Sequence, residues 1–145
     1  MSSTRVLFLC IGNSCRSQMA EGFARAYGSD VIAPLSAGLA PAMSIAPLTR
    51  AVMLEKNIDI GDAFPKGIDF VIRQGADLIV NMSGRKLPAQ SAVQVEDWEV
   101  RDPIGQSEDV YRTVRDQIEQ RVMRLILAMR ARDAEVDTRR RPPRQ

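Results

Sequence analysis

The sequence has 145 residues, 45% of them hydrophobic, which is enough for one compact domain with a hydrophobic core. It carries 20 basic and 18 acidic residues and no histidine, which excludes Ser-His-Asp and Cys-His catalysis and histidine-bound metals. The basic excess lies in residues 130–145, six arginines against three acidic residues, so we expect no nucleic-acid partner for the body of the protein. The sequence has only two cysteines, which excludes a disulfide scaffold, and it has neither an apolar run of membrane length nor a signal peptide. We therefore expect a cytoplasmic protein that does not associate with membranes and that has no metal or cofactor.

Strand and helix patterns alternate along the chain. A short apolar run at 5–10 indicates a buried parallel strand, and apolar residues spaced three and four apart indicate a helix from Ser17 to Gly28. Further strands are predicted at 31–38, 77–81 and within 92–100, and further helices at 47–57 and 69–73. The last helix begins after Ser107 as its N-cap and carries one apolar stripe that ends at Met129.

This order predicts a single-domain open α/β sheet over residues 1–131. We expect about four parallel strands with helices on both faces and a phosphate-binding loop after the first strand. Beyond Ala131 the apolar periodicity stops, and the sequence predicts a disordered basic tail over 132–145.

The segment between the first strand and the first helix carries the chemistry, because open α/β sheets bind ligands there. A nest of backbone N–H groups followed by a helix N-terminus can bind one anion, and Arg16 adds a planar fork for two of its oxygens. Gly12 is expected to supply an unusual backbone conformation. Positive potential around Cys10 favours its thiolate, which Ser17 can hydrogen-bond. The predicted phosphate-binding residues are Ile11, Gly12, Asn13, Ser14, Cys15, Arg16 and Ser17.

A purely structural interpretation is that Cys10 is a buried cysteine at the end of a strand and that Arg16 is a surface residue. The strand-to-helix position favours the functional interpretation, and so does a resemblance. The stretch 7–21, LFLCIGNSCRSQMAE, resembles the phosphate loop of the low-molecular-weight protein tyrosine phosphatases and the related arsenate reductases. Ser36-Ala37-Gly38 resembles the family's second-strand motif, whose serine supports the loop asparagine, here Asn13.

The segment 97–103, DWEVRDP, resembles the loop that carries the general acid of the same family. The resemblance implies a thiophosphate intermediate on Cys10, with Cys10 as nucleophile, Arg16 as phosphate clamp and Asp102 as general acid and base.

The sequence departs from the usual pattern of the family at two places, and these departures bear on whether it is a phosphatase or an arsenate reductase. Ser14, Gln18 and Ile104 stand where the tyrosine phosphatases usually have residues that wall a phenyl ring, and they look closer to the reductases. Thioredoxin-linked arsenate reductases, however, need two further cysteines after the third strand, and residues 81–90 contain none. Arsenate reduction would therefore require an external thiol, or an unusual role for Cys15.

Three hypotheses remain at this stage. The first, which the sequence analysis favours, is a phosphatase that hydrolyses phosphotyrosine in a phosphorylated protein or a small aryl phosphate through a cysteinyl-phosphate intermediate. The second is an arsenate reductase that relies on an external thiol or a glutaredoxin-like redox partner acting through Cys10 and Cys15. The third is a non-catalytic anion-binding regulator, which has no need of the thiolate and acid that Cys10 and Asp102 provide.

Overall fold

A computed structural model describes residues 3–87 and 93–140. The predicted alternation of strands and helices is confirmed, and Ala92, with which the fourth strand segment was expected to begin, lies outside the described residues. The elements in chain order are β1 (Thr4–Cys10), α1 (Arg16–Gly28), β2 (Ile32–Gly38), α2 (Pro47–Leu54), α3 (Ile68–Ile72), β3 (Leu78–Asn81), β4 (Gln94–Asp97) and α4 (Glu108–Arg140).

The four strands form one open parallel sheet in the order β2-β1-β3-β4. β1 is central, and the chain crosses to β2 on one side and to β3 on the other, so the carboxyl end of β1 is a topological switch point. The register pairs Cys10 with Gly38 and Leu9 with Asn81. The loops that follow all four strands therefore lie along one edge, which we call the carboxyl edge of the sheet.

Alternate residues of β1 enter two hydrophobic clusters, one on each face of the sheet. Val6 and Phe8 pack with α1 and α4, whereas Leu7 and Leu9 pack with Val71 of α3 and with Ile79. This alternation follows from the two-residue period of a strand and confirms helices on both faces. The sheet is thus fixed from both sides, and the loop after β1 starts from a rigid support.

Helix α4 begins as predicted, because the Ser107 hydroxyl accepts a hydrogen bond from the Val110 N–H at 3.4 Å. The prediction of a disordered tail from residue 132 is wrong for 132–140, where the helix continues to Arg140. Extending an existing helix is far easier than starting one, and the Glu135–Arg139 pair at 2.9 Å supports the added turns. Residues 141–145 lie outside the described part. Within 3–87 and 93–140, no helix is long and apolar enough to cross a bilayer.

Candidate active site

Cys10 ends β1 at the bottom of the loop formed by residues 10–17, here called the phosphate loop. Its side chain is buried, with 2% of the residue exposed, and Sγ lies 2.9 Å from the Ser17 hydroxyl. Asn13 donates to that same hydroxyl at 2.7 Å, so the Ser17 proton is free to point at the sulfur. A donated hydrogen bond of this kind stabilises negative charge on Cys10 and on the sulfur as a leaving group.

Asn13 supplies the turn of the phosphate loop. Its φ of 51° lies in the left-handed region, where asparagine is favoured among residues other than glycine. Its side-chain oxygen accepts hydrogen bonds from the Lys66 N–H at 2.8 Å and from Gln18 at 3.1 Å. The prediction that Gly12 supplies an unusual backbone conformation is wrong, because the positive φ of the loop belongs to Asn13.

The predicted support of Asn13 by Ser36 is also wrong. The Ser36 hydroxyl donates to Glu21 of α1, and no hydrogen bond joins Ser36 to Asn13 in the ranges that the structure covers. Ser36 pairs with Phe8, two residues before Cys10, so it lies below the phosphate loop. Gln18 takes the supporting role instead, since its amide also donates to the Asn13 carbonyl at 3.2 Å. The sequence signal for this support was Gln18 itself, a long amide side chain in the first turn of α1 where the phosphatases usually have proline.

Arg16 begins α1 and is fixed by the loops that follow β3 and β4. Its Nη1 donates to the carbonyl of Met82 and, at 3.1 Å, to that of Val100. The residue is 5% exposed, and its Nη2 lies 3.6 Å from Oδ2 of Asp102. Two carbonyl contacts fix the plane of the guanidinium, as a clamp for an oxyanion requires.

Asp102 lies at the mouth of the phosphate loop with its side chain about half exposed. Its Oδ1 accepts a hydrogen bond from the Ile104 N–H at 3.1 Å, which sets the direction of the carboxylate within the turn that contains Pro103. The structure thus brings together the nucleophile, clamp and acid that the resemblance implied, Cys10, Arg16 and Asp102. They come from the ends of β1 and β4, which are not adjacent in the sheet.

Cys15 is the second free cysteine and is also buried. Burial raises the pKa of its thiol to about 12. The thiolate is therefore a very minor form of Cys15 at neutral pH. Because the thiolate is the nucleophile in sulfur chemistry, Cys15 is poorly suited to attack an adduct on Cys10 at neutral pH.

Peroxide oxidation tests whether the raised pKa of Cys15 limits its reaction with Cys10. We expect Cys10 to form a sulfenic acid, which the Cys15 thiolate converts to a reversible Cys10–Cys15 disulfide. Below a pKa of about 12, each rise of one pH unit increases the Cys15 thiolate about tenfold, so the disulfide should gain on a competing sulfenic-acid probe as pH rises from 6 to 9. Mass spectrometry measures the ratio of disulfide to probe adduct, and a ratio independent of pH would contradict the expectation.

Gly38 makes the closest approach to the phosphate loop from β2. A Cβ at this position would lie 2.5 Å from the Ile11 carbonyl oxygen and 2.8 Å from the Asn13 nitrogen, both backbone atoms. Gly38→Ala should therefore displace the loop, weaken phosphate binding and cost about 1–3 kcal/mol of unfolding free energy. Gly67→Ala is the matched control, since its Cβ would meet only Pro41 at 3.6 Å. Urea denaturation and phosphate titration of both variants check this, and equal effects would remove the steric argument.

Comparison with known proteins agrees with this fold and site. The family model for Low molecular weight phosphotyrosine protein phosphatase matches residues 5–138, and the chain belongs to this family. It is 41% identical to a glutaredoxin arsenate reductase of Synechocystis over 84% of this chain and 95% of that protein. It is 40% identical to arsenate reductase 1 of Bacillus cereus over 81% and 90% of the two chains. A solved arsenate reductase in the phosphate-binding state superposes with a TM-score of 0.79 and 38% identity, over 87% of this chain and 98% of the other.

These relatives correct the first functional hypothesis. The expectation of a phosphatase for phosphotyrosine or aryl phosphates is contradicted, because the two curated relatives and the solved structure named above, at 38–41% identity, are arsenate reductases. The resemblance to the shared phosphate loop identified the superfamily, but that loop is common to both activities. The departures at Ser14, Gln18 and Ile104 point in the same direction as these relatives.

Proposed function

We propose that this protein reduces arsenate to arsenite with an external low-molecular-weight thiol, which a glutaredoxin-like partner recycles. One observation carries the proposal: the chain is 41% and 40% identical, over the aligned residues, to two arsenate reductases, yet its second cysteine is the buried Cys15. Cys15 is protonated at neutral pH because burial raises the pKa of its thiol to about 12. The second reducing thiol must therefore come from outside the chain.

The first step forms a bond between Cys10 and arsenic. Backbone N–H groups of the phosphate loop and the Arg16 guanidinium hold the oxyanion while Cys10 Sγ attacks arsenic. One arsenate oxygen leaves as water after accepting a proton from Asp102. The product is a Cys10–S–As(V) adduct.

The second step transfers two electrons. The external thiolate forms a disulfide bond with Cys10 Sγ, the S–As bond breaks, and its electron pair stays with arsenic, which leaves as As(III). A thiol of the glutaredoxin-like partner then attacks the outer sulfur of the mixed disulfide and releases Cys10. The burial of Cys10 supports this order, since a residue 2% exposed admits a slender thiol but not the surface of another protein.

Asp102→Asn should slow arsenate reduction by roughly 10²–10⁴-fold, because hydroxide is a poor leaving group unless a positioned acid protonates it. Glu99→Gln is the matched control, a carboxylate on the same segment that is exposed to solvent. Steady-state arsenite formation measures both variants at saturating thiol. Equal rates for Asp102→Asn and the wild type would show that another group is the acid, with Asp97 and Glu96 the next residues to test.

The proposal is tested by arsenite formation with defined reductants. Arsenate is supplied with glutathione alone, with glutathione and glutaredoxin, or with thioredoxin and its reductase, and hydrolysis of para-nitrophenyl phosphate is followed in parallel. We expect arsenite with glutathione, a faster rate with glutaredoxin, and little with thioredoxin alone. Phosphate-ester hydrolysis without any thiol-dependent arsenite would overturn the proposal.

A further inference from the structure

The loop after β3, residues 82–87, is held in a fixed shape at the mouth of the phosphate loop. Its Met82 carbonyl accepts from Arg16. Asn81 donates to the Arg85 carbonyl at 2.8 Å, and the Ser83 hydroxyl accepts from the Arg85 N–H at 3.1 Å while donating to Asn81 at 2.6 Å. The backbone of Arg85 is therefore fixed relative to the clamp of the active site.

This loop carries two exposed cations, Arg85 and Lys86. Among the described residues neither side chain has an ion pair or a hydrogen bond, and residues 88–92 contain no acidic residue. Arg130, by contrast, is paired with Asp30 at 2.9 Å.

A third exposed cation, Arg101, lies in the loop that follows β4, the strand next to β3. It precedes Asp102 and follows Val100, whose carbonyl also accepts from Arg16, and its guanidinium contacts the neutral amide of Gln106 at 3.2 Å. Carboxylates occur at the same edge as well, among them the exposed Glu99. Asp102 faces Arg16 at 3.6 Å, and Asp97 accepts from the Asn81 amide at 3.0 Å.

We propose that Arg85 and Lys86, together with Arg101 of the neighbouring loop, bind the carboxylates of the small thiol that reacts at Cys10, so that the preferred reductant is an anionic peptide thiol. This inference rests on the proposed function. Arginine binds carboxylates through its planar fork, and lysine adds a point charge. Each residue of an extended peptide spans about 3.5 Å. A thiol of two or three residues can therefore place its sulfur at Cys10 and a carboxylate beside Arg85 and Lys86. The cations thus act on substrate choice and not on the chemistry.

The test compares a charged thiol with a neutral one. In the full-length protein carrying Arg85→Gln and Lys86→Gln together, we expect the KM for glutathione to rise about tenfold. The KM for 2-mercaptoethanol, the KM for arsenate and kcat should stay at their wild-type values. For the wild type, glutathione ethyl ester should show a raised KM, and that difference should shrink in the double variant.

The matched control is Arg124→Gln with Arg132→Gln, which removes the same charge from α4. Both arginines are exposed and line a hollow with Leu78 and Gln94, at the amino ends of β3 and β4, away from the phosphate loop. An equal rise in KM for glutathione in this control would show that net charge alone is at work, and would overturn the proposal.

Three other outcomes separate the possible failures. Equal changes for glutathione and 2-mercaptoethanol in the Arg85/Lys86 variant would overturn the inference, because no carboxylate is then recognised. A raised KM for arsenate instead would assign the cations to oxyanion steering and overturn it as well. Absence of arsenite with every thiol, 2-mercaptoethanol included, would overturn the proposed function and this inference with it.

Discussion

Cys10→Ser is expected to abolish arsenate reduction, with a loss of roughly 10⁴-fold or more. A serine hydroxyl is not ionised at neutral pH, and it can form neither the sulfur–arsenic bond nor the mixed disulfide on which the electron transfer depends. Anion binding should survive, because the phosphate loop binds largely through backbone N–H groups and Ser17 remains beside the new hydroxyl at the bottom of the loop.

The measurement pairs arsenite formation with phosphate binding by calorimetry. Cys15→Ala is the matched control, since it removes a thiol from the same loop while keeping its backbone amide. We expect this variant to retain most of the activity. Substantial turnover in Cys10→Ser would remove Cys10 from the mechanism, and complete loss in Cys15→Ala would restore an internal relay through the second cysteine.

Arg16→Lys should lower the rate by roughly 10²–10³-fold and weaken phosphate binding. The guanidinium contacts the Met82 and Val100 carbonyls with one nitrogen and keeps its remaining donors for the oxyanion. A lysine ammonium is a single point, so it cannot hold both carbonyls and bind two oxygens in a plane. Because the substitution keeps the positive charge, it tests the planar geometry of the guanidinium separately from its charge.

Arg5→Lys is the control for this substitution. Arg5 lies near the amino end of β1, pairs with Asp77 at 3.3 Å, and is remote from the phosphate loop. Kinetics and phosphate titration should leave this variant close to the wild type. A wild-type rate in Arg16→Lys would show that charge alone is enough and would contradict the clamp.

Much of the fold could be predicted from the sequence because the signals are local. The apolar run of β1 and the capping serine before α4 each act within a few residues, and both appear in the structure. The end of α4 could not be predicted in this way. Loss of the apolar stripe after Ala131 marks the end of packing on the body, but an existing helix continues where neighbouring turns pair, as Glu135 and Arg139 do.

The same distinction between local and long-range signals applies to the site. Cys10, Arg16 and Ser17 belong to one contiguous loop, and their relative positions follow from its strand-to-helix setting. One partner of Asn13 is distant in sequence, because its side-chain oxygen accepts a hydrogen bond from the backbone N–H of Lys66, 53 residues away. Substrate choice was harder still, since the phosphate loop binds tetrahedral oxyanions in general and the reducing thiol comes from outside the chain.

The central claim is that arsenate makes Cys10 react with an external thiol. The most direct measurement incubates the wild type with arsenate and glutathione, quenches with acid, and maps the modified peptides by mass spectrometry, with an arsenate-free sample alongside. The account predicts a glutathione mixed disulfide on Cys10 that depends on arsenate, with Cys15 unmodified. An arsenate-dependent Cys10–Cys15 disulfide, or no arsenate-dependent adduct at Cys10, would contradict it.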